Sequence, residues 1–203
     1  MHAMLSERQL DALREVANIG AGHAATALST LTRHRVGITV PKVFVAPFED
    51  VADELGRPER LVSVSMGLLG DLRGRCLFLL REGEARALSD YLLGRDVGTA
   101  TELDEMETSS LREAGNILGG AFTAALGEMT GMLLLLSVPA LSYHELHQDG
   151  IDEVLAGEHD HRLALSVQTE FHVDSKNETP FGYFVVLTDA AGVEAILTAL
   201  RVT

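Results

Sequence analysis

Two short polar patterns in this chain combine residue types that could work on a phosphoryl group: Asp11, Glu15, Asn18 and Gly22, then Ser109, Glu113, Asn116 and Gly120. At roughly 100° per residue, each set falls within a wedge of about 60° on one helix face. A carboxamide placed there can accept a hydrogen bond from water while its NH₂ donates to a phosphoryl oxygen, whereas a carboxylate would repel the anion. Hydrolysis of an acyl phosphate needs water aligned opposite the leaving carboxylate, and phosphoryl transfer is catalysed mainly by positioning and charge stabilisation. The Glu one turn earlier can pair with a cation at the rim of a partner's phosphorylation site and so set the depth and angle of the Asn. A glycine inside a helix costs about 1 kcal/mol relative to alanine, so Gly22 and Gly120 need a reason. Either the helix packs closely there, or the missing side chain lets a partner approach the Asn.

One copy of Glu-x-x-Asn would carry little weight, because a solvated helical Asn is common. Here there are two, and each is followed after 22 intervening residues by proline, Pro41 and Pro139. The elements around them must therefore be duplicated too. Ser6 and Gln9 open a capping box, with Leu10, Leu13, Ala17, Ala21, Ala24, Leu28 and Leu31 recurring at helical spacing behind it. Pro41 is expected to turn the chain out of helix, with a strand over 42–46, a short helix over 48–55, a hairpin over 61–69 and 75–80, and a helix over 82–93. The same order recurs: a long helix capped by Thr101 and running through about Met129, Pro139 ending the stretch, a strand over 140–143, a short helix over 148–156, hairpin arms over 162–172 and 182–187, and a helix over 192–200.

A constant offset of 98 residues superposes Leu13-Arg-Glu15 on Leu111-Arg-Glu113, Asn18-Ile on Asn116-Ile, Gly22 on Gly120 and Val40-Pro on Val138-Pro. The expected fold is α+β, a two-layer unit with a pseudo-two-fold axis in which two long helices pack on a shared, mostly antiparallel sheet. No Pro/Ser-rich linker interrupts 94–100, so residues 1–203 are expected to form one domain of two repeats, about 1–98 and 99–203.

Composition bounds the partners. With 46% hydrophobic residues the chain is globular, and a formal charge of −14 disfavours nucleic acid or an anionic membrane surface. Cys76 is the single cysteine, so neither an intramolecular disulfide nor a thiol-rich metal cage can form. The N-terminal residues lack a signal-like pattern, and no apolar run approaches the ~20 residues of a spanning helix. A cytoplasmic protein without membrane insertion is expected.

The two motifs resemble those of the CheC/CheX/FliY phosphatase family of chemotaxis, its CheC branch above all: Asp or Ser, three residues, Glu, two residues, Asn, then a proline some twenty residues on. Asp11, Glu15, Asn18 and Pro41 match the first copy; Ser109, Glu113, Asn116 and Pro139 match the second. The resemblance implies a hydrolase that removes the aspartyl phosphate of a CheY-like response regulator. Asn18 and Asn116 would orient water, and Glu15 and Glu113 would anchor the partner. It implies no cofactor of the chain's own, with Mg²⁺ held by the response regulator, and a second partner in the receptor deamidase CheD. The first copy has Asp11 and Ala17 where the second has Ser109 and Gly115, which leaves the relative strength of the sites open. The alternative is a non-catalytic module that binds the response regulator or CheD.

Other constellations are weaker. His144, His147, His159 and His161 have spacings that could converge on zinc, but they lie in an acidic, cysteine-free stretch where solvated histidines are the ordinary case. His23 has Ala121 as its counterpart, which argues against a general base. No Gly-x-Ser-x-Gly elbow or phosphate-binding Gly-rich loop is present. Cys76 is expected to pack inside a strand.

Overall fold

Helix α1 (Glu7–Thr32) begins where its capping pattern predicts: Ser6 Oγ accepts from the Gln9 N–H, and the Gln9 side chain accepts from the Ser6 N–H. Its buried face is Leu13, Val16, Ala17, Gly20, Ala21, Ala24 and Leu28. Leu31, expected in the same stripe, is exposed. The coordinates are a computed structural model that describes residues 5–54, 60–145, 163–173 and 179–202. The short helix expected over 148–156 lies outside them.

The first repeat continues with β1 (Val36–Pro47), α2 (Phe48–Glu54), β2 (Arg60–Gly70), β3 (Gly74–Arg81) and α3 (Glu82–Leu92). The second holds α4 (Glu105–Thr130), β4 (Leu134–Leu136), β5 (Ala140–Glu145), β6 (Leu163–Val173), β7 (Phe181–Thr188) and α5 (Ala190–Ala199). Asp104, not Thr101, caps α4: its carboxylate accepts from the N–H groups of Met106 and Glu107. Asp104 stands at the 98-residue offset from Ser6.

The prolines do not end the helices. Arg33 (φ 58°) and Gly131 (φ 75°) adopt left-handed backbone immediately after Thr32 and Thr130, and each helix stops there. Pro41 and Pro139 instead sit in twin bulges. On the first edge, Thr39 faces Glu170 and Lys42 faces Gln168, so Val40 and Pro41 together oppose Thr169 alone. On the other edge, Ser137 exchanges hydrogen bonds with Gly67, and Ala140 faces Ser65, so Val138 and Pro139 oppose Met66 alone. Proline lacks the N–H that a ladder needs, and an edge-strand bulge is where that loss is tolerated.

Among the described residues, one antiparallel sheet of seven strands unites the repeats in the order β1-β6-β7-β3-β2, with β4 and β5 end to end along the far side of β2. Each repeat lends its first strand to the other's hairpin: β1 pairs with β6, and β5 pairs with β2. The hairpins meet at β3 and β7, where Phe78 faces Phe184 and Leu77 faces Val185. This exchange is the pseudo-two-fold arrangement. One sheet face packs against α1, α3, α4 and α5 through residues such as Val64, Met66, Phe78, Phe171 and Phe184. The opposite face carries a smaller cluster that joins Phe48 and Val51 of α2 with sheet residues such as Leu61, Leu77, Tyr183 and Val185. Among the described residues, no helix is long and apolar enough to cross a membrane.

Candidate functional site

The two long helices pack on each other and on the sheet through glycines that the motif does not contain. A Cβ on Gly20 of α1 would lie 2.9 Å from Phe122 Cδ1 of α4. A Cβ on Gly115 would lie 2.6 Å from Val64 Cγ1, and one on Gly119 2.8 Å from Met66 Cε, so α4 sits tightly on β2. Phe122 in turn stacks on Phe184 of the central strand pair, ring centroids 4.6 Å apart and planes 13° from parallel. The departure of the second copy at Gly115 therefore has a packing reason.

With those faces committed to the core, the polar faces are left outward. Asp11, Glu15, Asn18 and Gly22 on α1 are all exposed, as are Ser109, Glu113, Asn116 and Gly120 on α4. Neither Glu15, Asn18, Glu113 nor Asn116 has a hydrogen-bond or ion-pair partner among the described residues. The two readings of the motif glycines are also separated: a Cβ on Gly22 or Gly120 would meet nothing within 4 Å. Close packing among the described residues does not account for them. Each helix thus presents an amide, a carboxylate and a bare patch of backbone to the outside.

Pro41 and Pro139 shape the edge strands and are part of this geometry only through the fold. Arg14 and Arg112 are absent from the motif, yet each stands four residues before an Asn, the spacing that makes helix residues neighbours. That spacing was the available signal.

The histidine group is only partly within the described residues. His144 lies in β5, buried, with Nε2 2.8 Å from Ser63 Oγ; His147, His159 and His161 fall outside. Among the described residues, no three or more His, Cys, Asp or Glu side chains gather as a metal site would require. His23 is exposed beside the first motif. Cys76 is fully buried in β3.

Comparison with known proteins places the fold and the family. Residues 9–45, which span the whole first motif through Pro41, match the CheC-like family model. The chain is 31% identical to the CheY-P phosphatase CheC of Bacillus subtilis, covering 97% of this chain and 95% of that one. Its fold superposes on Thermotoga maritima FliY with a TM-score of 0.77 at 22% identity, covering 97% and 98% of the two chains. It also matches a chain of the CheX-CheY-BeF3-Mg+2 complex from Borrelia burgdorferi, with a TM-score of 0.50 at 15% identity, covering 87% and 99%. The α+β fold of two long helices on a shared antiparallel sheet is thus the fold class that this chain shares with those structures. Within that class, the chain belongs to the CheC-like family.

Proposed function

We propose that this protein hydrolyses the aspartyl phosphate of a CheY-like response regulator at two sites of the same chemistry, one on α1 and one on α4. The observation that carries the reading is the state of Asn18 and Asn116: both are exposed and unpartnered among the described residues, each with an unobstructed glycine one turn on. An amide kept for packing would be buried, and one kept for a local cap would be bonded to backbone. The relative named as a CheY-P phosphatase supplies the substrate class.

In this mechanism the partner docks against the polar face of a long helix, and the glycine leaves room for its backbone. The Asn carbonyl oxygen accepts from a water and holds it in line with the phosphorus, opposite the bond to the aspartyl oxygen. Water oxygen bonds to phosphorus as the phosphorus–oxygen bond to the aspartate breaks. The carboxylate keeps the electron pair, inorganic phosphate departs, and the water's protons pass to the phosphate and solvent. The Asn NH₂ can donate to a phosphoryl oxygen during the transfer. Glu15 or Glu113 pairs with a cation of the partner, which fixes the approach of the amide. Mg²⁺, which the response regulator and not this chain would hold, would supply charge neutralisation at the phosphoryl group. Holding the water and partner in place converts an encounter into an oriented, effectively unimolecular step.

The rival reading, a module that binds the regulator without turning it over, is separated by one measurement. Decay of a phosphorylated CheY-like receiver should be accelerated by the protein, partly slowed by Asn18→Ala or Asn116→Ala, and returned near its spontaneous rate by the double change. A double variant as fast as the unaltered protein, or an unaltered protein without effect, overturns the proposal. The same reading takes CheD as a second partner on the strength of the family resemblance, and the cytoplasm as the place of reaction. A direct binding titration with CheD tests the former.

A further inference from the structure

The arginine that precedes each Asn by one turn sits in a different electrostatic setting in the two repeats. Arg14 donates from Nη1 to Asp11 Oδ1 at 2.9 Å, both side chains being well exposed. On α4 the place of Asp11 is taken by Ser109, which brings no charge, and Arg112 has no hydrogen-bond or ion-pair partner among the described residues. Asp11, Arg14 and Glu15 sum to one negative charge, and Ser109, Arg112 and Glu113 to none, while Arg8, one turn before Asp11, has the uncharged Met106 as its counterpart; the difference therefore lies in whether the arginine before the Asn is itself paired.

That difference bears on the substrate. A phosphorylated receiver presents a phosphoryl dianion set among carboxylates, and it must approach a chain whose own formal charge is −14. At helical spacing Arg112 and Asn116 lie within about 40° of each other on the side of the face away from Glu113. A guanidinium there can reach phosphoryl oxygens or the acidic groups beside them while the amide addresses the water.

We infer that Arg112 is a docking residue of the second site, and that Asp11 neutralises its counterpart Arg14 at the first. The inference rests on the phosphatase reading of the two Asn residues. Under it, the sites share one chemistry but differ in their hold on the anionic partner. Because the groups are exposed and screened over about 8 Å at physiological ionic strength, the effect is modest and salt-dependent. It should lie in the range of about two- to fivefold in affinity.

The test isolates each site by silencing the other and follows dephosphorylation of a phosphorylated CheY-like receiver at several concentrations and salt levels. In the Asn18→Ala background, Arg112→Gln should raise KM about threefold with kcat unchanged, and the salt dependence of KM should flatten. In the Asn116→Ala background, Arg14→Gln should leave KM where it was, whereas Asp11→Ser should lower it and restore a steeper salt dependence. Arg112→Lys should recover part of the loss. Equal effects of Arg14→Gln and Arg112→Gln, or none from Arg112→Gln while Asn116→Ala still lowers the rate, would overturn the inference and leave the phosphatase reading standing. Activity surviving in the double Asn variant would instead overturn the phosphatase reading.

Discussion

Gly20 on α1 lies directly beneath Phe122 on α4, so that a Cβ on the glycine would sit 2.9 Å from the ring and 3.1 Å from the Phe122 Cα. The two motif-bearing helices meet at this contact, and the backbone atom in it cannot swing aside. Their relative placement, and with it the outward aim of both polar faces, depends on a residue that carries no chemistry.

Gly20→Ala should therefore destabilise the protein in spite of a gain of up to about 1 kcal/mol in helix propensity. Overpacking of this kind costs about 1–3 kcal/mol, so a net loss is expected. Denaturant unfolding would show a lower midpoint; a raised midpoint would mean that the helices slide apart without strain.

At Gly22 and Gly120 the sign should reverse. Nothing lies within 4 Å of a Cβ at either position, so alanine should stabilise each helix by up to about 1 kcal/mol. Phosphatase activity should fall at the same time, because the methyl group occupies the space left for the partner. Tm and the receiver dephosphorylation rate, measured on the same variants, should move in opposite directions. A rise in both would show that the bare backbone has no part in docking.

Glu107, in the first turn of α4, is buried and ion-paired through Oε1 to Arg95, while its Oε2 has no hydrogen-bond partner among the described residues. Arg95→Ala would strand the carboxylate, at a cost of about 1–3 kcal/mol after allowing for the partial exposure of the arginine. Glu107→Gln should cost less, since a neutral amide is cheaper to bury than an unpaired charge. Comparing the two midpoints in urea tests this order.

Burial pushes the Cys76 thiol up from 9.0 to about 12, which favours the neutral form in the folded protein. Its stabilising contribution is complete below pH 9 and is lost progressively between about pH 9 and 12, as the unfolded chain gains the thiolate first. Alkylation by iodoacetamide at pH 8 should accordingly be slow in the native protein and fast in denaturant. Rapid labelling of the native protein would contradict the packing of β3.

Much of the architecture could be read along the chain because it is local. The phase of Asp11, Glu15, Asn18 and Gly22 follows from helical geometry alone, and β2 and β3 announce themselves through Gly70 and Gly74, whose positive φ angles let the turn form. The constant offset marked both motifs, but the start of α4 is read from sequence at Thr101, and the structure places its cap at Asp104. Pro41 and Pro139 were visible as breaks, but a proline's missing N–H is equally compatible with a helix end and a strand bulge.

Which of those it meant was decided in three dimensions, when β1 found β6 and β5 found β2 as partners. A strand's neighbour is set by shape and burial far away in sequence, which no local pattern encodes. The same holds for the glycines. Gly20 and Gly22 are two residues apart on one helix and indistinguishable as letters, yet one is filled by Phe122 and the other faces open space. Residue type and spacing alone determined that this chain carries two copies of an amide and a carboxylate on helix faces. Only tertiary packing, by claiming the neighbouring faces for the core, turned both amides outward.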